Sequence, residues 1–249
     1  MNRQLLTHSA GTAYSRLNPD IAAWRKEHNL SPYSGGTYEE FMAHPLTYEP
    51  GTSWEYGTGI DWAGSVLERL TGQSLENHSR QFIFEPLGIQ DITFWPGQHP
   101  GMESRLAKMA IRSVPSERVS DYNGPLITDG LKDCFGGHGG FADLSQYNEV
   151  LYSILVDDER LLRRDTTAEM FKPQLESEGS KRALNLDIGK PDTMFIGEFH
   201  QSNDYDWGLG GLLIGGDLAG WRRKNRLTWS GMPNVFWVSC GNGAILANT

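Results

Sequence analysis

The chain has 249 residues, a net charge of -9 and a hydrophobic content of 38%. That length allows one large domain, or two small ones, with a sizeable core. The acidic balance argues against nucleic-acid binding through phosphate neutralisation. No secretory segment is visible, and no apolar run reaches the roughly 20 residues that span a bilayer. We therefore expect a cytoplasmic protein with neither a nucleic acid nor a membrane as partner.

The first half of the chain carries helix patterns separated by turns. Thr37 can cap a short helix that stops near Pro45, and a turn-rich loop follows at Pro50. The clearest helix covers residues 60–72, where Gly72 is a suitable terminator. Its apolar residues recur at helical spacing, at Ile60, Ala63, Val66, Leu67 and Leu70.

Further helices are predicted downstream. Ser74 caps one that we expect to end at Pro86, because proline cannot continue a helix. Residues 91–135 are turn-rich. A helix then begins near Asp143, and a charged helix ends before Pro173.

The last part of the sequence changes pattern. Short apolar or aromatic runs at 194–200, 207–216, 226–231 and 234–241 are divided by Gly, Asn and Pro, which predicts an antiparallel sheet. Helices followed by strands indicate an α+β fold. We expect a single domain over 1–249, mostly helix and loop over about 12–135, then a helix and the sheet over 136–249. The basic cluster at 221–226 is expected to be a solvated turn.

Ser9 is a candidate nucleophile. The stretch THSAG at 7–11 differs from the G-x-S-x-G nucleophile elbow only at Thr7. An elbow needs a buried strand before the serine. Only eight residues precede Ser9, and several of them are polar, so no such strand fits there. A turn in which His8 and Ser9 satisfy backbone groups is the favoured alternative.

Tyr56 is a second candidate. It lies in a glycine-flanked loop before the strongest helix, where a tyrosine serves either as an aromatic anchor or as a general acid or base. A phenol has a pKa near 10 and needs a neighbouring cation to act as a base near neutral pH. The histidines and cysteines lack metal-ligand spacing, and the glycine run at 208–216 lacks a dinucleotide fingerprint, so we expect no metal and no cofactor.

Five stretches in order resemble the serine β-lactamase-like superfamily, and within it the class C β-lactamase-related esterases and the fungal lovastatin-type transesterases. The stretches are LLTHSAG (5–11), PGTSWEYGTGIDWAGSVLERLTGQSL (50–75), IFEPLGIQDITF (83–94), GGHGGFADLSQYNEVL (136–151) and WGLG (207–210). The resemblance covers nearly the whole chain. It implies a β-lactamase/transpeptidase-like fold, in which an antiparallel sheet is flanked by helices and joined by a helical subdomain.

The resemblance also implies acyl transfer and assigns residues to it. YGT looks like the family's Tyr-x-Asn loop, which gives Tyr56 the catalytic tyrosine position and puts Thr58 where many members have Asn. WSG resembles the Lys-Thr-Gly strand, with Trp229 in place of Lys. Ser230 and Gly231 would then line the oxyanion and substrate side. The glycine-rich stretch 136–140 would lie near the pocket, without a catalytic role for its histidine.

One landmark of the family does not occur in this sequence. No serine is followed three residues later by lysine, so the Ser-x-x-Lys pair that supplies the nucleophile and its base is absent. The resemblance therefore predicts a domain incomplete at both ends. Two functions stay open: a serine acyl-enzyme acyltransferase or esterase of secondary metabolism, and a non-catalytic ligand-binding form of the same fold. Expected partners are small acyl donors and acceptors, with an acyl carrier protein or acyl thioester as the donor.

Overall fold

The computed structural model describes residues 2–31, 36–112, 118–190, 204–217, 223–231, 235–240 and 244–248. The helices are α1 (Asn2–Leu6), α2 (Pro19–Glu27), α3 (Tyr38–Met42), α4 (Gly59–Thr71), α5 (Leu75–Ser79), α6 (Glu85–Leu87), α7 (Leu144–Val156), α8 (Arg164–Met170) and α9 (Glu178–Ile188). The strands are β1 (Ile92–Thr93), β2 (Ala110–Ile111), β3 (Ser120–Asp121), β4 (Phe141–Ala142), β5 (Tyr205–Trp207), β6 (Leu212–Ile214), β7 (Arg226–Gly231), β8 (Val235–Cys240) and β9 (Ala244–Asn248).

The predicted helix starts are confirmed at their caps. Thr37 and Glu40 form a reciprocal capping box at α3, and the Asp143 carboxylate accepts the first free N–H groups of α7. Helix α4 ends at Gly72, whose φ of 69° is in the left-handed region. The most buried positions of α4 are Gly59, Asp61, Gly64 and Ser65, whereas Leu70 of its apolar stripe is exposed. This helix therefore packs through small and polar residues.

The helix expected to end at Pro86 continues to Leu87, so that boundary was wrong. A π-helical turn (Arg80–Phe84) joins α5 to α6, and the N–H of Glu85 donates to the carbonyl of Arg80. Pro86 lies in the first turn of α6, directly after the π-helical turn. The segment closes at Gly88, with φ of 72°.

Five antiparallel strands form the main sheet, in the order β5-β6-β7-β8-β9. The run 207–216 contains a hairpin and not one strand: β5 ends at Trp207 and β6 begins at Leu212. Gly208 N–H donates to Gly211 O across that turn over 2.9 Å. The register opposes Trp229 to Trp237 and Thr228 to Leu212. The predicted run at 194–200 lies outside the described residues, and residues 223–225 of the basic cluster are exposed, as expected.

Helix α9 packs against β5 and closes the core beneath the site. The buried residues of this core are Trp54, Leu175, Leu184, Ile188, Tyr205, Trp207, Leu212 and Ile214. Tyr56 and Trp229 pack against its edge and are partly buried. The core thus gives the loop before α4 and strand β7 a common support. In the described part of the chain, every helix is too short or too polar to cross a bilayer.

Candidate functional site

The segment 5–11 holds the loop that carries Tyr56. The carbonyl of His8 accepts the N–H of Glu55 (3.1 Å) and the hydroxyl of Tyr48 (2.9 Å). The Nδ1 atom of His8 accepts the N–H of Gly57 over 3.3 Å. His8 itself has a φ of 55°, which turns its side chain inward at the end of α1. The segment 5–11 therefore fixes the backbone of residues 55–57 through hydrogen bonds to His8.

Gly57 is required where it stands. A Cβ atom there would lie 2.1 Å from the carbonyl oxygen of Thr12. Such an approach is possible only for glycine, so the residue between Tyr56 and Thr58 is fixed by close backbone packing.

The structure brings Tyr56 and Trp229 together, although they are 173 residues apart in the sequence. The Trp229 Nε1–H donates to the Tyr56 hydroxyl over 3.2 Å, and the ring centroids are 4.8 Å apart. The two residues that the family resemblance assigned to the site are therefore in contact. The contact joins the loop before α4 to the middle of β7.

Other aromatic rings surround this pair. The Tyr56 ring centroid lies 4.6 Å from that of His8 and 5.5 Å from that of Tyr14. Trp207 contacts both His8, at 4.9 Å, and Trp229, at 4.7 Å. Tyr56 thus presents its hydroxyl at the edge of an apolar, aromatic cluster.

This environment sets the charge of the two titratable groups nearest the contact. Burial raises the pKa of Tyr56 above its usual value, the Asp61 carboxylate raises it further, and the Trp229 N–H opposes them. Burial lowers the pKa of His8 from 6.5 to about 4, although the Asp61 carboxylate acts to raise it. Both side chains are therefore neutral at pH 7. Since His8 Nδ1 accepts a backbone N–H, its proton is assigned to Nε2.

The remaining predicted site residues lie on the same two segments. Thr58 is 1% exposed, and its Oγ1 has no hydrogen-bond partner among the described residues. Ser230 is half-buried on β7, next to Trp229. Gly231 is exposed, and no described atom lies within 4 Å of a Cβ placed there.

Ser9 lies in a tight turn. Its Oγ is 3.0 Å from the Thr7 hydroxyl, its N–H donates to Gln4 O (3.0 Å), and its carbonyl accepts Gly51 N–H (2.7 Å). A hydroxyl neighbour is not a base that could activate a serine. This geometry favours the structural alternative over a nucleophile.

Another candidate site in the described part of the chain is a cavity whose lining does not include Tyr56 or Trp229. This cavity, of about 460 Å³ between α3 and α4, is lined by Tyr38, Glu68, Arg69 and Asp133, among others. Within the described ranges, no three His, Cys, Asp or Glu side chains come together as a metal centre would require.

Comparison with known proteins shows the family of the chain. The family model described as Beta-lactamase matches residues 2–226. The chain belongs to the β-lactamase family. Curated relatives in this family include ML-236A carboxylate methylbutanoyltransferase of Penicillium citrinum, 35% identical over 237 residues, which are 94% of this chain and 56% of that protein. Another is lovastatin esterase of Penicillium rubens, 35% identical over 261 residues, which are 98% of this chain and 63% of that protein.

Solved structures place the chain with the same β-lactamase-family acyltransferases. A mutant of simvastatin synthase from Aspergillus terreus superposes with a TM-score of 0.87 at 34% identity, over 98% of this chain and 60% of that one. The fold is therefore the β-lactamase-like fold of helices and an antiparallel sheet. The chain spans about 56% to 63% of the length of the curated relatives named above.

Three residues of the cluster were not expected from the sequence as part of the site: Tyr14, Asp61 and Trp207. Asp61 is fully buried, although an acidic residue in the first turn of a helix is usually explained by the helix dipole. Trp207 stands in WGLG, which pointed only to the family. The aromatic residues that follow LLTHSAG and that lie in WEYGTG were the sequence signal for an aromatic cluster at this place.

Proposed function

We propose that this chain is part of a serine acyl-enzyme acyltransferase or esterase of polyketide-type secondary metabolism, with Tyr56 as its acid–base residue. The observation that carries the proposal is the contact between Tyr56 and Trp229, which unites the two family motifs found in the sequence. Relatives at 33% to 35% identity support it, since they are named as acyltransferases and an esterase.

The chemistry assigns Tyr56 a proton-transfer role. In acyl transfer, a serine oxygen forms the bond to the acyl carbon, and the leaving alcohol or thiol departs with the proton that the serine gives up. Burial raises the pKa of Tyr56, so the phenol would take up the serine proton only with a cation beside it that favours the phenolate. The nucleophile and its lysine would come from a Ser-x-x-Lys motif, which this sequence does not contain.

The substrate side is proposed at the end of β7. Trp229 offers an apolar face for an acyl chain or a polyketide ring, and Ser230 and Gly231 follow it on the same strand, whereas Thr58 lies buried beside Tyr56 in the sequence segment 56–58. Two relatives from Aspergillus terreus are named monacolin J acid methylbutanoyltransferase. We therefore propose a bulky polyketide alcohol as acceptor and an acyl thioester, or an acyl carrier protein, as donor.

A second candidate is a non-catalytic binding protein with the same pocket. It is the alternative if the whole protein has no Ser-x-x-Lys pair, because catalytic groups that act as a unit lose most of their effect when the nucleophile is missing. The aromatic cluster would still bind an apolar ligand.

The decisive experiment starts from the coding sequence. If an in-frame Ser-x-x-Lys precedes residue 1, the encoded protein is incubated with p-nitrophenyl butyrate and its intact mass is measured. We expect one acyl group on that serine, and a fall in turnover of about 10² to 10⁴ in Tyr56→Phe. The matched control is Tyr152→Phe, an exposed tyrosine on α7, which should retain turnover. No motif, or no acyl adduct, would overturn the enzyme proposal in favour of the binding protein.

A further inference from the structure

A fully buried carboxylate lies next to Tyr14, whose ring packs against Tyr56. Asp61 has 0% exposure. Its Oδ2 accepts the hydroxyl of Tyr14 over 2.8 Å, and its Oδ1 accepts the N–H of Gly137 over 2.7 Å. Burying a carboxylate away from water is unfavourable unless hydrogen-bond donors such as these surround it.

These contacts tie three separate segments together. Asp61 lies in the first turn of α4, Tyr14 follows the 5–11 segment, and Gly137 belongs to the glycine-rich stretch. A Cβ at Gly137 would lie 2.6 Å from the Tyr14 hydroxyl and 2.8 Å from Asp61 Oδ2. Glycine at this position therefore lets the backbone reach the carboxylate. The Tyr14 ring in turn packs against Tyr56 at 5.5 Å.

His138 completes the arrangement from the other side. Its Nδ1 is 3.4 Å from Asp61 Oδ1, which is an ion-pair distance without hydrogen-bond geometry, and its side chain is 9% exposed. Neither ring nitrogen has a hydrogen-bond partner among the described residues. The ring lies between Phe41, at 4.8 Å, and Phe135, at 5.0 Å.

We propose that Asp61 is the positioning residue of the Tyr56 site: it ties Tyr14 and the glycine-rich stretch to α4, and it places a negative charge one side chain away from Tyr56, across Tyr14. A negative charge there disfavours a second negative charge on the phenol oxygen. Tyr56 then stays protonated until a cation beside it favours the phenolate. The inference rests on the proposed role of Tyr56 in proton transfer.

The Asp61 charge bears on several neighbouring titratable groups besides Tyr56. The Asp61 carboxylate adds to the effect of burial in raising the pKa of Tyr14, Tyr56 and Tyr38. It opposes burial at His8 by favouring the protonated imidazole. Three phenols and an imidazole on different segments therefore feel the same charge.

The test measures the ionisation of Tyr56 directly. The chain is labelled with ¹³C at the tyrosine Cζ atom, the Tyr56 resonance is assigned from the spectrum of Tyr56→Phe, and its titration midpoint is followed by NMR at alkaline pH. We expect a lower midpoint in Asp61→Asn than in the wild-type chain, and a wild-type midpoint in Asp61→Glu. Tyr152 serves as an internal control, since it is 55% exposed on α7.

A variant that keeps the charge separates electrostatics from packing. Tyr14→Phe removes a hydrogen bond to Asp61 but leaves the carboxylate, so the Tyr56 midpoint should not fall. If Asp61→Asn does not fold, this variant alone decides, because a lower midpoint in Tyr14→Phe would overturn the proposal. An unchanged midpoint in folded Asp61→Asn would overturn it as well. Failure of the proposed function is a separate result, since it shows as absent acyl transfer while the midpoint still depends on Asp61.

Discussion

Replacing His8 by Asn should flatten the pH dependence of stability between about pH 4 and 6.5. His8 is 4% exposed, and burial holds its pKa at about 4 in the folded chain, against 6.5 when unfolded. Between pH 6.5 and 4, His8 is therefore protonated in the unfolded chain but neutral in the folded chain. The stability that the neutral imidazole confers is complete above pH 6.5 and is lost as the pH falls through 4. The loss amounts to about 3 kcal/mol over that window.

Urea unfolding at a series of pH values measures this effect. Asn tolerates the left-handed backbone that His8 adopts, so His8→Asn is the suitable replacement. The difference in unfolding free energy between the wild-type chain and His8→Asn should shrink by about 3 kcal/mol from pH 7 to pH 4. His28→Asn is the control, because His28 is exposed on the surface at the end of α2. A difference that stays constant over this range would refute the assignment of a buried neutral His8.

Two further substitutions test the frame around the site. Asp206 is buried, and its Oδ1 accepts the N–H groups of residues 174, 175 and 207, so Asp206→Ala should lower the unfolding free energy by about 3 kcal/mol. Denaturant titration should show a change within about 0.5 kcal/mol for the exposed Asp204→Ala, and equal losses would contradict the role of Asp206. Thr58→Val removes a buried hydroxyl that has no partner among the described residues, and it should raise stability by about 1 kcal/mol. Thermal unfolding would then shift upward by roughly 2 to 4 °C, and a downward shift would show that the hydroxyl is satisfied.

Much of the fold could be predicted because its local determinants are strong. Helices α3, α4 and α7 carry side-chain caps or a left-handed glycine at their ends, and these depend on a few adjacent residues. Helix α2 was missed although Asn18 caps it and Pro19 opens it, because its apolar residues are few. Helix α9 was missed for a related reason: its buried side chains face β5, a partner that the local pattern does not reveal.

The site was predictable to a lesser degree. Tyr56 and Trp229 were assigned through the family resemblance, and their contact follows from the packing of β7 against the loop before α4. The part played by Asp61 was not predictable, since its partners lie 47 and 76 residues away in the sequence. Periodicity even favoured the apolar stripe of α4 over the face that is actually buried. Long-range hydrogen bonds leave no trace in local periodicity.

The most direct test of the central claim is the affinity of this chain for monacolin J acid, the type of acceptor proposed above, measured by isothermal titration calorimetry. If Tyr56 and Trp229 form the acyl-ligand site, the wild-type chain should bind, and Trp229→Ala should weaken binding about tenfold. The matched control, Trp62→Ala on the exposed face of α4, should bind as the wild-type chain does. Wild-type affinity in Trp229→Ala, or no binding by the wild-type chain, would contradict the account.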